Sequence, residues 1–441
     1  MTEFEILALL MLGAFFVLLM IGIPVGLTLA ATGFIFGYLG FGATLFNLLP
    51  ARIFGVVTNY TLLAIPLFVF MGVMLEKSRL AEDLMDALAL ATGRLRGGMG
   101  LAIILVGVLM GASTGIVGAT VVTLGLLTLP TLIRRGYSSS LASGTICASG
   151  TLGQIIPPSL VLILLADITA QSVGTLFAAA LLPGLMLAGI YCAYMVTIGL
   201  LRPDMAPAAS AEELASFTRG QLWLKILKVV IPPLALVVAV LGSIIGGVAA
   251  PTEAASMGAL GSLLMAAVAG RVNGNVLRET LQVTTRITAT VLFILICAQV
   301  FALAFRGLRG EQLVHDLFAF LPGGIAADIW FMMLLIFVLG FFIEWIEISY
   351  IAVPLFMPVF DAAGVDKVWL CTMICLNLQT SFLTPPFGWA LFFLKGVAPP
   401  EVRTGHIYVG IMPFVAMQAM ALLILYLQPQ IATWLPNAIG W

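Results

Sequence analysis

Gln154-Ile155-Ile156-Pro157-Pro158-Ser159 interrupts an apolar run over about 141–170, and Phe382-Leu383-Thr384-Pro385-Pro386-Phe387 interrupts another over about 369–398. Pro158 brings no backbone N–H, and a proline disfavours helical geometry at the residue before it. Each run therefore reads as two half-helices around an unwound centre. The two double prolines lie 228 residues apart. Pro130 and Pro358 share that spacing, and Pro24 and Pro251 lie 227 apart. Four matches in one order, inside runs of similar length, indicate an internal duplication.

The chain around these breaks is too apolar for a soluble domain. Of 441 residues, 62% are hydrophobic and only 9% charged, and mean hydropathy is +1.17. Soluble domains carry about 25% charged residues. Apolar runs cover about 4–22, 24–40, 61–75, 100–133, 141–170 and 174–200. A polar stretch follows, and then runs at 229–249, 251–270, 287–305, 329–360, 369–398 and 407–427. The expected organisation is a first repeat over 1–201, a connector over 202–228 and a second repeat over 229–441. Ser210 with Glu213 three residues on marks a surface helix in the connector.

Net charge is −1, which gives no electrostatic footprint for nucleic acid. His315 and His406 lie far apart, so no transition-metal site is expected. Cys147, Cys192, Cys297, Cys371 and Cys375 all lie in apolar runs, where cysteine packs as a small apolar side chain. Met1-Thr2-Glu3-Phe4-Glu5 lacks the basic start of a signal peptide, so the first run is expected to remain in the mature protein.

Charge sets orientation. Fifteen of the 19 basic residues can share one side, leaving Arg52, Arg306, Arg309 and Lys367 opposite; the fifteen are placed in the cytoplasm by the positive-inside rule. Arg94 and Arg96 then lie on the same side as Arg134 and Arg135, so 100–133 enters and returns as a hairpin. Run 329–360 does the same from the outer side. Each half crosses five times, so the second is inverted. The reading is an all-α polytopic protein with two inverted repeats, ten spans, two helical hairpins, two proline-broken helices and both termini outside. Lys77–Arg96 and Arg306–Phe320 read as amphipathic surface helices joining a mobile core to a scaffold. Inverted repeats of this kind characterise secondary transporters; channels share the pattern, but broken helices favour a carrier.

Helix-breaking and polar residues at membrane depth mark the candidate site, since unpaired backbone there must face protein or a wet cavity. The tip Gly111-Ala112-Ser113-Thr114-Gly115-Ile116-Val117-Gly118 combines three glycines with two hydroxyls, offering hard oxygen ligands for Na⁺. Gly153, Thr380, Ser381 and Thr384 at the breaks extend that ion-binding set. Ser149, Thr151, Gln154, Pro157, Pro158, Ser159, Asn377, Pro385 and Pro386 are expected to line the substrate site. Glu344 and Glu347 share a helix face in the second hairpin without a basic neighbour in sequence. A charge at membrane depth costs at least about 2.5–3.5 kcal/mol, which argues for cation coordination. Glu253 opens a helix and either joins the site or stabilises that helix end. Arg52 and Arg306 are the candidate anion contacts. Gly-Xaa-Ser-Xaa-Gly, His-Glu-Xaa-Xaa-His and phosphate-loop motifs are absent, so no enzyme is expected.

These residues resemble the large membrane subunit of TRAP (tripartite ATP-independent periplasmic) transporters, the DctM-type subunit, over nearly the whole chain. The likeness is carried by Gly111–Gly118, Arg134-Arg135-Gly136-Tyr137, Ile155-Ile156-Pro157-Pro158-Ser159, Pro251-Thr252-Glu253-Ala254-Ala255, Glu344-Trp345-Ile346-Glu347 and Thr380-Ser381-Phe382-Leu383-Thr384-Pro385-Pro386-Phe387-Gly388. It implies Na⁺-coupled uptake of small organic acids through the bacterial inner membrane by an elevator-like movement, without a further cofactor. It also implies a periplasmic substrate-binding protein that delivers the ligand and a small four-helix membrane subunit that braces the scaffold. In that family Na⁺ binds at hairpin tips and unwound helix centres. A stand-alone carrier of another inverted-repeat family is the alternative.

Overall fold

In lipid every backbone N–H and C=O must be satisfied within the protein, and a helix does this within one segment. The computed structural model describes residues 2–114, 117–209 and 219–441, apart from the side chains of 113, 114 and 219–223. The elements among the described residues are all helical.

In the first half, α1 (Glu3–Met20) and α2 (Val25–Phe41) precede α3 (Thr44–Val57), a 3-10 turn at Tyr60–Leu63 and α4 (Ala64–Lys77). The short α5 (Leu80–Thr92) leads into a hairpin of α6 (Gly98–Thr114) and α7 (Val117–Arg134). A broken helix follows: α8 (Ser139–Thr151), a 3-10 turn at Leu152–Gln154 and α9 (Leu160–Thr169). The long α10 (Val173–Leu201) closes the half. The order then recurs as α11 (Arg219–Ile245), α12 (Pro251–Val268), α13 (Gly274–Gly307) and the short α14 (Gly310–Ala319). The second hairpin is α15 (Gly324–Leu339) with α16 (Trp345–Ala362). The second broken helix is α17 (Lys367–Leu383) with α18 (Trp389–Val397), before α19 (Thr404–Leu427) and α20 (Gln430–Ala438). The continuous 34-residue α13 stands where the first half has α3, the 3-10 turn and α4.

Packing repeats with the halves exchanged. α2 lies on α13 and α12 on α4; α8 lies on α19 and α17 on α10; α7 lies on α18 and α16 on α9. The hairpins and broken helices form a core with α10 and α19, while α1–α4 and α11–α13 flank it. The short helices bridge the two: α5 packs on α6 and α11, and α14 on α1 and α16. Each short helix is entered through a left-handed arginine, Arg79 (φ 58°) and Arg309 (φ 59°), an uncommon conformation for a residue with a Cβ. Both double prolines carry a cis bond, Pro157–Pro158 and Pro385–Pro386.

Against the ten crossings expected, eight helices among the described residues are long and apolar enough to cross a membrane by length and composition. α2 is too short, α12 is not among the eight, and each broken helix crosses in two short pieces, while α7 and α16 of the hairpins qualify. The helix at Arg219 begins inside the stretch assigned to the connector, and its strongly apolar part starts at Leu224. The surface helix at Ser210–Glu213 lies outside the described residues.

Candidate functional site

Each hairpin tip rests on the unwound centre of its own half. A Cβ added to Gly111 would fall 2.6 Å from the Gly153 Cα, and one added to Gly340 would fall 2.5 Å from the Ser381 Cβ. Gly153 and Ser381 are 228 residues apart, and Gly111 and Gly340 are 229 apart. The same close approach is thus built twice. Further from each tip the ties differ in kind. Gly107 lies against Ser149, where a Cβ would come 2.6 Å from the carbonyl oxygen. The equivalent of Ser149, Asn377, instead donates from Nδ2 to the Met333 carbonyl at 2.7 Å.

The polar residues of the breaks are held in place rather than loose. Thr151 Oγ1 donates to the Ala148 carbonyl (2.9 Å), and Ser159 Oγ donates to the Gln154 carbonyl. In the second copy Thr380, Ser381 and Thr384 donate to Leu376, Leu378 and Thr380 carbonyls at 2.9, 2.8 and 2.7 Å. A donating hydroxyl keeps its lone pairs, so these oxygens stay available to a cation. Ser149 Oγ and both amide atoms of Gln154 are buried without a hydrogen-bond partner. The first break, Thr151–Leu160, is buried throughout, Pro157 and Pro158 included. The second is more open, with Pro385 half-buried and Pro386 and Phe387 exposed. The side chains of Ser113 and Thr114, and all of Gly115 and Ile116, lie outside the described residues.

Both carboxylates of the second hairpin sit where its descending helix begins. Glu344 is the residue before α16, and Glu347 lies in its first turn, 3% exposed with Oε2 unpaired. A cavity of about 250 Å³ opens beside Glu344. Val117 and Gly118 from the first hairpin, Glu344, Trp345 and Ile346 from the second, and Phe382 and Phe393 from the second broken helix line it. Arg286, Ile287, Thr290 and Val291 of α13 close the remaining wall. Both hairpins and the flanking helix α13 therefore converge on one space holding one carboxylate and one guanidinium. Arg286 lies about 18 Å along α13 from its start, at 1.5 Å per residue, and makes no ion pair among the described residues. The charge count grouped it with the loop cations, whereas the fold sets it against the hairpins.

A second, larger cavity of about 740 Å³ continues along the same two helices. Thr123, Leu126 and Leu127 of α7 and Val276 and Glu279 of α13 line it, with Lys77, Arg79, Glu82 and Arg271 at its charged mouth. The groove between α7 and α13 thus leads from the basic side of the protein towards the hairpins.

Other sequence candidates fall elsewhere. Arg306 pairs with Glu311 at 2.8 Å on the surface, and Arg52 is exposed on α3, away from the cavity. Glu253 accepts from the Ala250 N–H at 2.9 Å, so it serves the start of α12. The cysteines are free, and no group of three His, Cys, Asp or Glu side chains among the described residues could hold a metal ion.

The profile of the family described as "Tripartite ATP-independent periplasmic transporter, DctM component" matches residues 12–431. The chain belongs to this DctM family. It is similar to the C4-dicarboxylate TRAP transporter large permease protein DctM of Pseudomonas aeruginosa, 30% identical with 89% of this chain and 90% of that protein covered. The ectoine TRAP transporter large permease protein TeaC of Halomonas elongata is 28% identical (95% and 96% covered). The sialic acid TRAP transporter large permease protein SiaM of Vibrio cholerae is 29% identical, with the same coverage. Among solved structures, the YdaH transporter of Alcanivorax borkumensis superposes with a TM-score of 0.61 at 16% identity over 99% of both chains, a likeness of fold.

A DctM-family chain is a multi-pass transporter permease and not an enzyme, and that gives the converging hairpins their context. Two residues of the candidate site were not singled out from sequence. Gly340 was legible as the counterpart of Gly111 at nearly the repeat offset. Arg286 carried no such signal, because a lone arginine at the edge of an apolar run reads equally well as an interfacial anchor.

Proposed function

We propose that this chain is the transport subunit of a Na⁺-coupled secondary carrier in the bacterial inner membrane. It imports small organic acids handed over by a periplasmic binding protein, and a small four-helix membrane subunit braces its scaffold. The observation that carries this reading is the cavity where both hairpins meet α13. Arg286 offers a fixed positive charge for a carboxylate, since a guanidinium matches carboxylate geometry and stays protonated. Glu344 lines the same cavity, and its carboxylate is a hard oxygen donor that suits Na⁺. Relatives are named for C4-dicarboxylate, ectoine and sialic acid, which supports a carboxylate-bearing substrate class without choosing a member.

Transport in this reading is elevator-like. The core of hairpins and broken helices slides against α1–α4 and α11–α13, with α5 and α14 as the flexing links at Arg79 and Arg309. The groove between α7 and α13, opening on the basic and therefore cytoplasmic side, corresponds to an inward-facing state.

The test is uptake of labelled succinate into proteoliposomes holding the permease, its small subunit and its binding protein, under an inward Na⁺ gradient or an equal K⁺ gradient. Saturable uptake that requires Na⁺ supports the reading. Because succinate itself can be the wrong acid, melting of the purified permease is measured alongside in Na⁺, K⁺ and choline. A flat response in both assays refutes Na⁺ coupling.

A further inference from the structure

Asp167, near the end of α9, ties three parts of the molecule together. Its Oδ2 accepts from the Tyr350 hydroxyl of α16 at 3.1 Å, and its Oδ1 accepts from the Asn59 amide, in the loop between α3 and the 3-10 turn. Asn59 is itself fixed, because its Oδ1 caps the 3-10 turn by accepting from the Thr61 N–H at 2.9 Å. Asp167 and Tyr350 belong to the core, and Asn59 belongs to the flanking helices. Both donors are neutral, so this carboxylate is held by hydrogen bonds from both bodies and has no cation among its partners.

The position of this triad gives it meaning. At the offset of 228, Tyr350 on α16 is the counterpart of Val122 on α7. At the offset of 230 that relates Arg79 to Arg309, Asn59 is the counterpart of Ala289 on α13. Val122 and Ala289 lie within the stretches of α7 and α13 that wall the two cavities. The place where one half is open is therefore the place where the other half is clasped. Asp167's own counterpart, Lys395, turns to its local chain and donates to the Val402 carbonyl at 3.2 Å, leaving the α13 side free. An inverted repeat reaches its opposite state by exchanging the conformations of its halves, and that exchange must part α16 from the α3–α4 junction.

We infer that Asn59, Asp167 and Tyr350 form a latch that holds the outer path shut while the inner path is open, and that the latch must break in every transport cycle. The inference rests on the alternating carrier reading above, so the experiment separates the two. Leu126, exposed on α7 in the larger cavity, is replaced in Leu126→Cys as a reporter. A membrane-impermeant maleimide is applied from the basic side to vesicles carrying the full complex, with the parent chain as the blank for native cysteines.

In the latched background the reporter reacts readily, and Na⁺ with binding protein and succinate changes its rate. A rate that ignores these additions, in a complex that also takes up nothing, removes the carrier reading. Adding Tyr350→Phe, Asn59→Ala or Asp167→Asn lowers the labelling rate at least threefold, because the core spends less time with its inner path open. Tyr350→Phe removes one hydroxyl and keeps the ring, which guards against loss of fold. A ligand-responsive reporter whose rate is unchanged in all three variants overturns the latch. Lower thermal stability alone, with labelling unmoved, also counts against it, since that is what a purely structural cluster would give.

Discussion

Gln379 and Thr151 occupy equivalent positions 228 residues apart, and they touch: Gln379 Nε2 donates to Thr151 Oγ1 at 3.5 Å. A contact between equivalent positions lies on the axis that relates the two halves. Tyr191 and Gln418 stand in the same buried group, the Tyr191 hydroxyl lying beside both glutamines. The Gln379–Thr151 bond is the one made here; the Tyr191 hydroxyl, both Gln418 amide atoms and Gln379 Oε1 are buried without a hydrogen-bond partner. Replacing Gln379 by Met removes that bond, while Thr151 Oγ1 keeps its donation to the Ala148 carbonyl. A hydrogen bond of this kind contributes about 0.5–1.5 kcal/mol net, and Met also removes the unpaired Gln379 Oε1, so the two effects oppose. Gln379→Met is expected to melt within a few degrees of the parent in detergent while its relative Na⁺ response persists.

Gly340→Ala forces a Cβ to within 2.5 Å of the Ser381 Cβ. Overpacking of this kind costs roughly 1–3 kcal/mol, and it lifts the hairpin tip from the break. The variant should lose thermal stability and Na⁺ stabilisation together. Ser381→Gly in the same chain removes the obstructing side chain and should recover most of the stability. Two losses that simply add would show that the tip and the break are not in contact.

Arg286→Gln keeps a polar side chain in the cavity but removes the charge. If Arg286 binds the substrate carboxylate, half-saturation for uptake should rise at least tenfold, about 1.4 kcal/mol of lost binding. Na⁺-dependent melting should stay as in the parent. An unchanged KM would leave Arg286 as a lining residue only.

Glu344→Gln and Glu347→Gln separate the two carboxylates. Glu344 lines the cavity, so its neutralisation should raise the Na⁺ concentration needed for half-maximal uptake while the fold persists. Glu347 is buried with one oxygen unpaired, and an uncompensated buried charge is costly. Glu347→Gln should therefore melt higher than the parent without Na⁺ and gain less when Na⁺ is added. Unchanged Na⁺ dependence in Glu344→Gln would remove that residue from the ion site.

Glu253 and Arg271 test two contacts outside the core. Glu253→Ala loses a bond at the start of α12, worth about 0.3–1 kcal/mol, and transport should be unaffected. Arg271 pairs with Asp83 at 2.7 Å and donates to the Ser78 and Arg79 carbonyls at 3.1 and 2.9 Å, grasping the hinge that enters α5. Arg271→Ala should slow uptake with little change in KM, because it loosens a moving link rather than the site. Equal effects of both variants on melting, with uptake intact, would rule out a role for the hinge contact.

Sequence by itself determined much of this protein, because the bilayer allows few answers. Long apolar runs must be helices, Pro157-Pro158 and Pro385-Pro386 must break two of them, and their spacing exposes two matching halves. The glycines at 111 and 153 were legible as members of a candidate ion site, but that they meet came from the packing. Tertiary structure decided which groups meet. Arg286 stands about 170 residues from Gly118 and 58 from Glu344 along the chain, and only the packing of α13 beside both hairpins brings the three to one cavity. Asn59, Asp167 and Tyr350 span nearly 300 residues; Asp167 is the one charged residue between Arg135 and Arg202, but nothing in the sequence names its partners. Periodicity and proline spacing are local signals that a chain carries within one helix. The meeting of a guanidinium with a carboxylate, or of an amide with an acid, is fixed by how separate helices pack, which no single stretch of sequence records.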